Sequence, residues 1–211
     1  MAHLLYIESS PRKTRSASIE VAHEFLKVWQ AANPGSTVDT LDVWTTPLPE
    51  FDGSLLEAKY AGIAGLPLSA DQAAAWDTIK TLAARFQRVD RLLISAPMWN
   101  YTIPYKLKHL IDAVTQKDLL FSFDEHGLNG LLTETKAALI LARGVEFGDS
   151  AGAFPSAVWD HQQQYLALWL REIGITQVEQ VLIEKTLYGP DVDVASRAVA
   201  LEQARSLAAS F

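Results

Sequence analysis

Two stretches of the chain are apolar without alternation: Leu92-Leu93-Ile94 and Ala137-Ala138-Leu139-Ile140-Leu141. A strand with one wet face alternates apolar and polar residues. A strand that is apolar at every position has both faces covered, as in a parallel sheet between helix layers. Shorter apolar runs at 4–7, 37–43 and 178–184 complete a set of five expected strands with 91–96 and Lys136–Ala142. Between them the period changes to that of a helix. The segment 16–32 places Ala22, Phe25, Leu26 and Trp29 on one face, and 71–87 does the same with Trp76, Ile79, Leu82, Ala83 and Phe86. The segment 104–116 begins with Pro104 at an expected first helical position and carries Leu107, Leu110, Ile111 and Val114. Helical patterns at 158–173 and 191–208 end the series. Strands and helices thus alternate throughout, and right-handed crossovers turn that order into an α/β fold: a doubly wound five-stranded parallel sheet with helices on both faces.

The 211 residues suffice for one buried core, and residues 1–211 are expected to form a single domain. The irregular region 45–69 holds Pro47, Pro49, Gly53, Gly62, Gly65 and Pro67. It reads as a surface excursion with a short helix near 55–63.

Composition removes several classes of function. Lys plus Arg is 18 against 25 for Asp plus Glu, a net charge of −7, which argues against nucleic acid as the main partner. No apolar run approaches the ~18 residues that span a bilayer. The opening Met1-Ala2-His3-Leu4-Leu5-Tyr6-Ile7-Glu8 meets an acid too early for a secretory signal. With no cysteine there is no disulfide, thiolate metal site or cysteine nucleophile, and a cytoplasmic location is expected. The five histidines (His3, His23, His109, His126, His161) show no helical pairing and no carboxylate at ligand spacing, so no metal site is expected.

In a doubly wound sheet, ligands bind beyond the carboxyl ends of the strands. Three loops matter on that basis: after Ile7, after Ala96 and after Ala142. The first, residues 8–18, offers hydroxyls at Ser9, Ser10, Thr14, Ser16 and Ser18 and cations at Arg12, Lys13 and Arg15, and runs straight into a helix. Free amides at a helix start favour an anion. The loop has no glycine, so it is neither a dinucleotide fingerprint nor a P-loop. It suits a monophosphate held by hydroxyls and amides, and equally an ordinary serine-capped turn with solvated cations. The second loop, Pro97-Met98-Trp99-Asn100-Tyr101-Thr102-Ile103-Pro104, sets polar and aromatic side chains between two prolines. Prolines fix the backbone, so its N–H and C=O groups can be aimed at a ligand, and Trp99 and Tyr101 offer flat surfaces. The loop suits the edge of a planar heterocycle, with packing of the aromatics into the core as the plainer alternative.

Pro97-Met98-Trp99-Asn100-Tyr101, followed by Ile103-Pro104-Tyr105-Lys106-Leu107-Lys108-His109-Leu110-Ile111-Asp112, resembles the flavin-binding signature of the FMN-dependent NADH:quinone reductase and azoreductase family. The resemblance continues through 121–127, 160–166 and 172–175, and through Ser9-Ser10 with Ser16-Ala17-Ser18. It implies a flavodoxin-like fold and reduction of quinones (two-electron) and azo compounds by ping-pong hydride transfer through bound FMN, with NADH or NADPH as co-substrate. It further implies that Ser10, Ser16, Ala17 and Ser18 hold the phosphate of FMN, and that Pro97, Met98, Trp99, Asn100 and Tyr101 line its ring. The third loop, Ala142-Arg143-Gly144-Val145, falls where the family has Ser-Arg-Gly-Gly. Arg143 and Gly144 keep the pattern, which implies that they bind the cofactor beside the pyrimidine end of the flavin, while Ala142 lacks a hydroxyl and Val145 narrows the backbone freedom. Phe121 and Phe123 match a segment that reaches over the flavin from a partner subunit, which implies a homodimer. His126 on that segment is a candidate proton donor. No catalytic side chain is otherwise expected, because the cofactor carries the redox chemistry.

Two other functions are set against this one. A flavodoxin-like electron carrier shares the cofactor and fold, but would need neither the excursion nor the segment 121–127. A serine hydrolase is raised by Gly148-Asp149-Ser150-Ala151-Gly152, which fits G-x-S-x-G. A nucleophile elbow needs a strand ending at Ser150, whereas the strand is expected to end near Ala142. The histidine that follows Ser150, His161, adjoins Asp160, an awkward geometry for a triad.

Overall fold

The computed structural model describes residues 1–148 and 156–211. Five strands form one parallel sheet: β1 (His3–Glu8), β2 (Thr37–Asp42), β3 (Arg91–Pro97) and two later strands, β6 (Lys136–Ala142) and β7 (Gln177–Ile183). Their order is β2-β1-β3-β6-β7, which is the flavodoxin-like arrangement. The chain reverses its direction of growth at β1 and β3, and there the carboxyl ends of the strands open a crevice. Between β3 and β6 stand β4 (Phe121–Asp124) and β5 (Gly127–Gly130), an antiparallel hairpin apart from the sheet. The five-strand expectation holds; the hairpin is an addition, hidden because four-residue strands carry almost no periodic signal.

The unalternated strands are covered on both sides. Leu5, Ile7, Leu92, Ile94, Leu139 and Leu141 face one cluster with Leu82 and Phe86 of α3 (Ala70–Gln87), Leu107 and Leu110 of α4 (Tyr105–Val114), and Trp169 of α5 (His161–Glu172). Their sequence neighbours Leu4, Tyr6, Leu93, Ala138 and Ile140 face the other cluster. It holds Phe25 and Trp29 of α1 (Ala17–Ala32) and the stripe Ala200, Ala204 and Ala208 of α6 (Pro190–Ser210). Small residues at that spacing bring α6 close against α1 and the sheet. Full burial of a side chain such as Phe25 contributes about 1.5–3 kcal/mol. The excursion holds α2 (Gly53–Ile63), capped by Asp52, whose carboxylate accepts the Leu55 N–H. It packs through Leu55 and Ala58 against Ile79 and Ala113.

The helices start within three positions of expectation, and two of the differences have a clear local cause. Pro104 stands one position before α4 rather than within it. The fifth helix begins at His161 because the Asp160 carboxylate accepts the Gln163 N–H at 3.0 Å; residues Ala157–Trp159 form a short 3-10 turn before it. Among the described residues no helix is long and apolar enough to cross a membrane, and no group of three or more His, Asp or Glu is placed to hold a metal ion.

Candidate functional site

The first loop brings its hydroxyls inward. Ser9, Ser10, Ser16 and Ser18 are all buried. Ser9 is structural: its Oγ and N–H both donate to the Ser95 carbonyl on β3. Ser16 is the N-cap of α1, with its Oγ 3.5 Å from the Ile19 N–H and 3.2 Å from the Ser18 Oγ. A bond that long leaves most of the hydroxyl's capacity for something else. The N–H groups of Ala17 and Ser18 belong to the first turn and have no intrahelical acceptor. Ser16, Ala17 and Ser18 therefore gather at the start of one helix, with the positive end of the helix dipole behind them, while Ser10 is buried on the same loop with its Oγ accepting the Arg12 N–H at 3.3 Å.

Lys13 is not one of the loop's loose cations. Its Nζ donates to Glu8 Oε1 at 2.7 Å and to Asp42 Oδ2 at 2.5 Å. Burial works against its charge, but the two carboxylates outweigh that and raise its pKa. Asp42 shows the mirror image: burial opposes ionisation, yet the bond from Lys13 and the N–H of Trp44 bring its pKa below the ordinary value. Trp44 ties this corner together, since its Nε1–H donates to the Ser9 carbonyl at 2.9 Å. Arg12 and Arg15 are exposed and form no ion pair among the described residues.

The second loop is a tight reversal. Asn100 and Tyr101 have φ of +47° and +70°, and Trp99 and Thr102 exchange both backbone hydrogen bonds, at 2.8 and 3.0 Å. Positive φ at both central residues is the pattern of a type I′ turn. Asparagine tolerates it; a tyrosine there is strained by about 1–3 kcal/mol. The turn lifts Trp99 into an aromatic cluster with Trp44 (5.9 Å) and Tyr105 (6.3 Å), so Trp99 is a surface wall and not core. Tyr101 packs on Phe147 and Trp159. Met98 donates its N–H to the Ala142 carbonyl, extending the ladder past Pro97. A cleft of about 700 Å³ lies under the turn, lined by Trp99, Asn100, Thr102, Tyr105, Phe51 and Tyr165. Burial first, and then Asp112 and Glu172, push the Tyr165 pKa up to about 12, so that phenol stays protonated.

The third loop is anchored from below. The Arg143 side chain is buried, ion-paired to Asp160, with its Nε 3.1 Å from Glu184 Oε1 but off the N–H direction. Its guanidinium carbon lies 5.2 Å from the Phe147 ring centroid. Arg143 thus faces carboxylates, while Gly144 sits against Leu187, where a Cβ would come within 2.4 Å. The absent hydroxyl at Ala142 leaves the backbone intact, since the Ala142 carbonyl still receives the Met98 N–H.

Phe121, Phe123 and His126 do not join these loops within one chain. The base of the β4–β5 hairpin is fixed at the opposite end of the sheet, where Leu132 N–H donates to Ile173 at the close of α5 and Gln87 donates to Leu119. Phe123 is 60% exposed, and His126 stands at the exposed hairpin tip beside Glu125. Ser150 lies outside the described residues; β6 does end at Ala142, well before it. Sequence reasoning passed over Trp44, on the loop after β2, which is a fourth loop at the same carboxyl edge. It also passed over Gln162, whose buried amide donates to the Ala96 carbonyl at the root of the second loop and whose Oε1 has no partner among the described residues.

Known proteins share this fold. The family model described as a flavodoxin-like fold matches residues 2–208. FMN-dependent NADH:quinone oxidoreductase 9 of Burkholderia lata is 46% identical over 211 residues, covering 100% of both chains. FMN-dependent NADH:quinone oxidoreductase 3 of Pseudomonas fluorescens is 45% identical, covering 99% of this chain and 96% of its own. The crystal structure of the azoreductase from Bacillus anthracis str. Sterne superposes with a TM-score of 0.91 at 26% identity, over 100% of both chains. This chain therefore belongs to the flavodoxin-like family that contains the FMN-dependent NADH:quinone oxidoreductases.

Proposed function

We propose that this chain is an FMN-dependent NAD(P)H oxidoreductase that reduces quinones and azo compounds. What carries the reading is one juxtaposition. A buried serine and helix-amide cradle and a strained aromatic turn share the carboxyl edge of β1 and β3, in a chain 46% identical end to end to a named FMN-dependent NADH:quinone oxidoreductase. The donor set fits the cofactor. A phosphate needs donors without a competing carboxylate. Ser10, Ser16 and Ser18 supply hydroxyls, Ala17 and Ser18 supply amides, and Lys13 pairs with the nearby Glu8 and Asp42, cutting their joint charge from −2 to −1. When bound, FMN supplies two-electron hydride chemistry between a nicotinamide and a planar acceptor.

The protein's own part is to bind, orient and exclude. Ser10, Ser16, Ala17 and Ser18 hold the phosphate. Pro97, Met98, Trp99, Asn100 and Tyr101 line the ring, with main-chain groups presented by the type I′ turn. Arg143 acts from beneath, fixing the third loop so that the Gly144 backbone is presented at a constant height. No nucleophile is required, and Tyr165, held protonated, supplies none. The chain acts as a single domain, in the cytoplasm, and as a homodimer. Phe121 and Phe123, too far down their own fold to reach their own loops, cover the acceptor side of a second copy, and His126 is delivered there with them. Steady-state NADH oxidation with a soluble benzoquinone tests this: turnover is expected to require added FMN. FMN-loaded protein that does not oxidise NADH would overturn it.

A further inference from the structure

Glu8 and Asp42 end neighbouring parallel strands and occupy facing positions in the ladder. Like charges set opposite each other on adjacent strands repel. They also stand beside the loop that would receive a phosphate, which adds a second repulsion. Lys13 answers both. Its Nζ sits between the carboxylates at 2.7 and 2.5 Å, and the residue adopts φ of +48°, a conformation that lysine rarely takes. Strain of this kind persists only where surrounding contacts over-determine it.

The backbone of Lys13 then does the positioning. Its carbonyl accepts the Ser16 N–H at 2.9 Å, closing the 3-10 turn Lys13–Arg15 that delivers Ser16 to the N-cap of α1. Asp42 extends the same contact sideways: its Oδ1 accepts the Trp44 N–H and its Oδ2 the Thr45 hydroxyl, while Trp44 holds the Ser9 carbonyl. Other ionisable groups nearby are His23, 3.9 Å from Glu8 Oε2, Glu20, which is engaged by Arg197, and the buried Tyr6, whose hydroxyl pairs with the Ser95 Oγ and is kept protonated by burial and by Glu8 and Asp42.

We propose that Lys13 is a positioning residue for cofactor binding: a latch between Glu8 and Asp42 that shapes the phosphate cradle of Ser10, Ser16, Ala17 and Ser18, and not itself a ligand of the phosphate. This rests on the reading of the site as an FMN site. The latch serves the phosphate end alone, so removing it discriminates between flavins with and without a phosphate.

The test titrates FMN and riboflavin into the full chain freed of flavin, followed by flavin fluorescence, with the thermal transition of each variant recorded alongside. Wild type is expected to prefer FMN strongly. Lys13→Met is expected to bind FMN about tenfold more weakly, the loss of roughly one charge-assisted hydrogen bond, with riboflavin affinity unchanged. Adding Glu8→Gln to Lys13→Met returns the corner from −2 to the wild-type net of −1, so the repulsion between facing carboxylates is relieved, and is expected to recover most of the FMN affinity. Lys13→Met that leaves the FMN-to-riboflavin ratio at the wild-type value overturns the latch while leaving the cofactor reading intact; so does a double variant that recovers nothing. Wild-type protein with no preference for FMN over riboflavin removes the cofactor reading, and the latch with it.

Discussion

Arg143 and Asp160 form an ion pair with side chains only 2% and 8% exposed, joining the end of β6 to the cap of α5. The Asp160 carboxylate also accepts the Gln163 N–H, so one group both starts a helix and neutralises a buried cation. Glu184 at the close of β7 completes the arrangement and accepts the Phe147 N–H. Replacing Arg143 with methionine leaves two carboxylates without their cation. We expect a loss of about 3–5 kcal/mol, the range for breaking a buried pair from one side. Urea denaturation checks it; a change below about 1 kcal/mol would show that the pair is solvated after all.

The turn at Trp99–Thr102 stores conformational strain, and position 100 can be used to probe it. Asn100→Gly fits φ of +47° without cost and is expected to keep stability within about 1 kcal/mol of wild type. Asn100→Val forces a β-branched residue into the same conformation and is expected to lose about 1–3 kcal/mol. Thermal unfolding of the pair decides the matter: equal transitions for glycine and valine would mean that the turn relaxes.

Gly130 permits the hairpin to dock. A Cβ there would lie 2.0 Å from the backbone nitrogen of Gly174. No flexible side chain can yield, so Gly130→Ala is expected to cost about 1–3 kcal/mol and to displace the hairpin base. In the homodimer proposed above, where the hairpin would carry Phe121 and Phe123 to a second copy, the same variant is expected to weaken the dimer in sedimentation velocity. A fully dimeric Gly130→Ala protein of wild-type stability would separate the hairpin from assembly.

The contact between Lys13 and Asp42 has a defined pH window. Folding lowers the Asp42 pKa from its ordinary 3.8, so its contribution is complete above that value and disappears as pH falls through the lower folded value. Folding raises the Lys13 pKa from 10.5, so its contribution is complete below that value and disappears as pH rises through the higher folded value. The stability difference between wild type and Lys13→Met is therefore expected to be flat across neutral pH and to shrink at both extremes. Urea melts at stepped pH provide the comparison, and a difference that grows below the ordinary aspartate value would contradict it.

What could be read in the sequence follows from periodicity. Residues 92–94 and 137–141 announce a buried parallel sheet because every position in them is apolar, and Phe25, Leu26 and Trp29 announce α1 by their spacing. The hairpin Phe121–Asp124 and Gly127–Gly130 is too short for either signal. The three loops could be located because a doubly wound sheet puts ligands at one edge. The commitments of Lys13 and Arg143 could not, since their partners Glu8, Asp42, Asp160 and Glu184 come from other elements and meet only after folding. Trp44 was hidden for a related reason: a tryptophan after an amphipathic strand looks like core until the neighbouring loop supplies a carbonyl. The left-handed Tyr101 contradicts local preference, and such conflicts concentrate at functional positions.

The most direct measurement is the absorption spectrum of the purified chain during titration with FMN, in wild type and in Ser16→Ala/Ser18→Ala. Saturation at one FMN per chain is expected for wild type, with perturbed flavin bands and a clear loss of affinity in the double variant. A spectrum that remains that of free FMN at every ratio, in protein shown to be folded, would contradict the placement of a flavin at the carboxyl edge of β1 and β3.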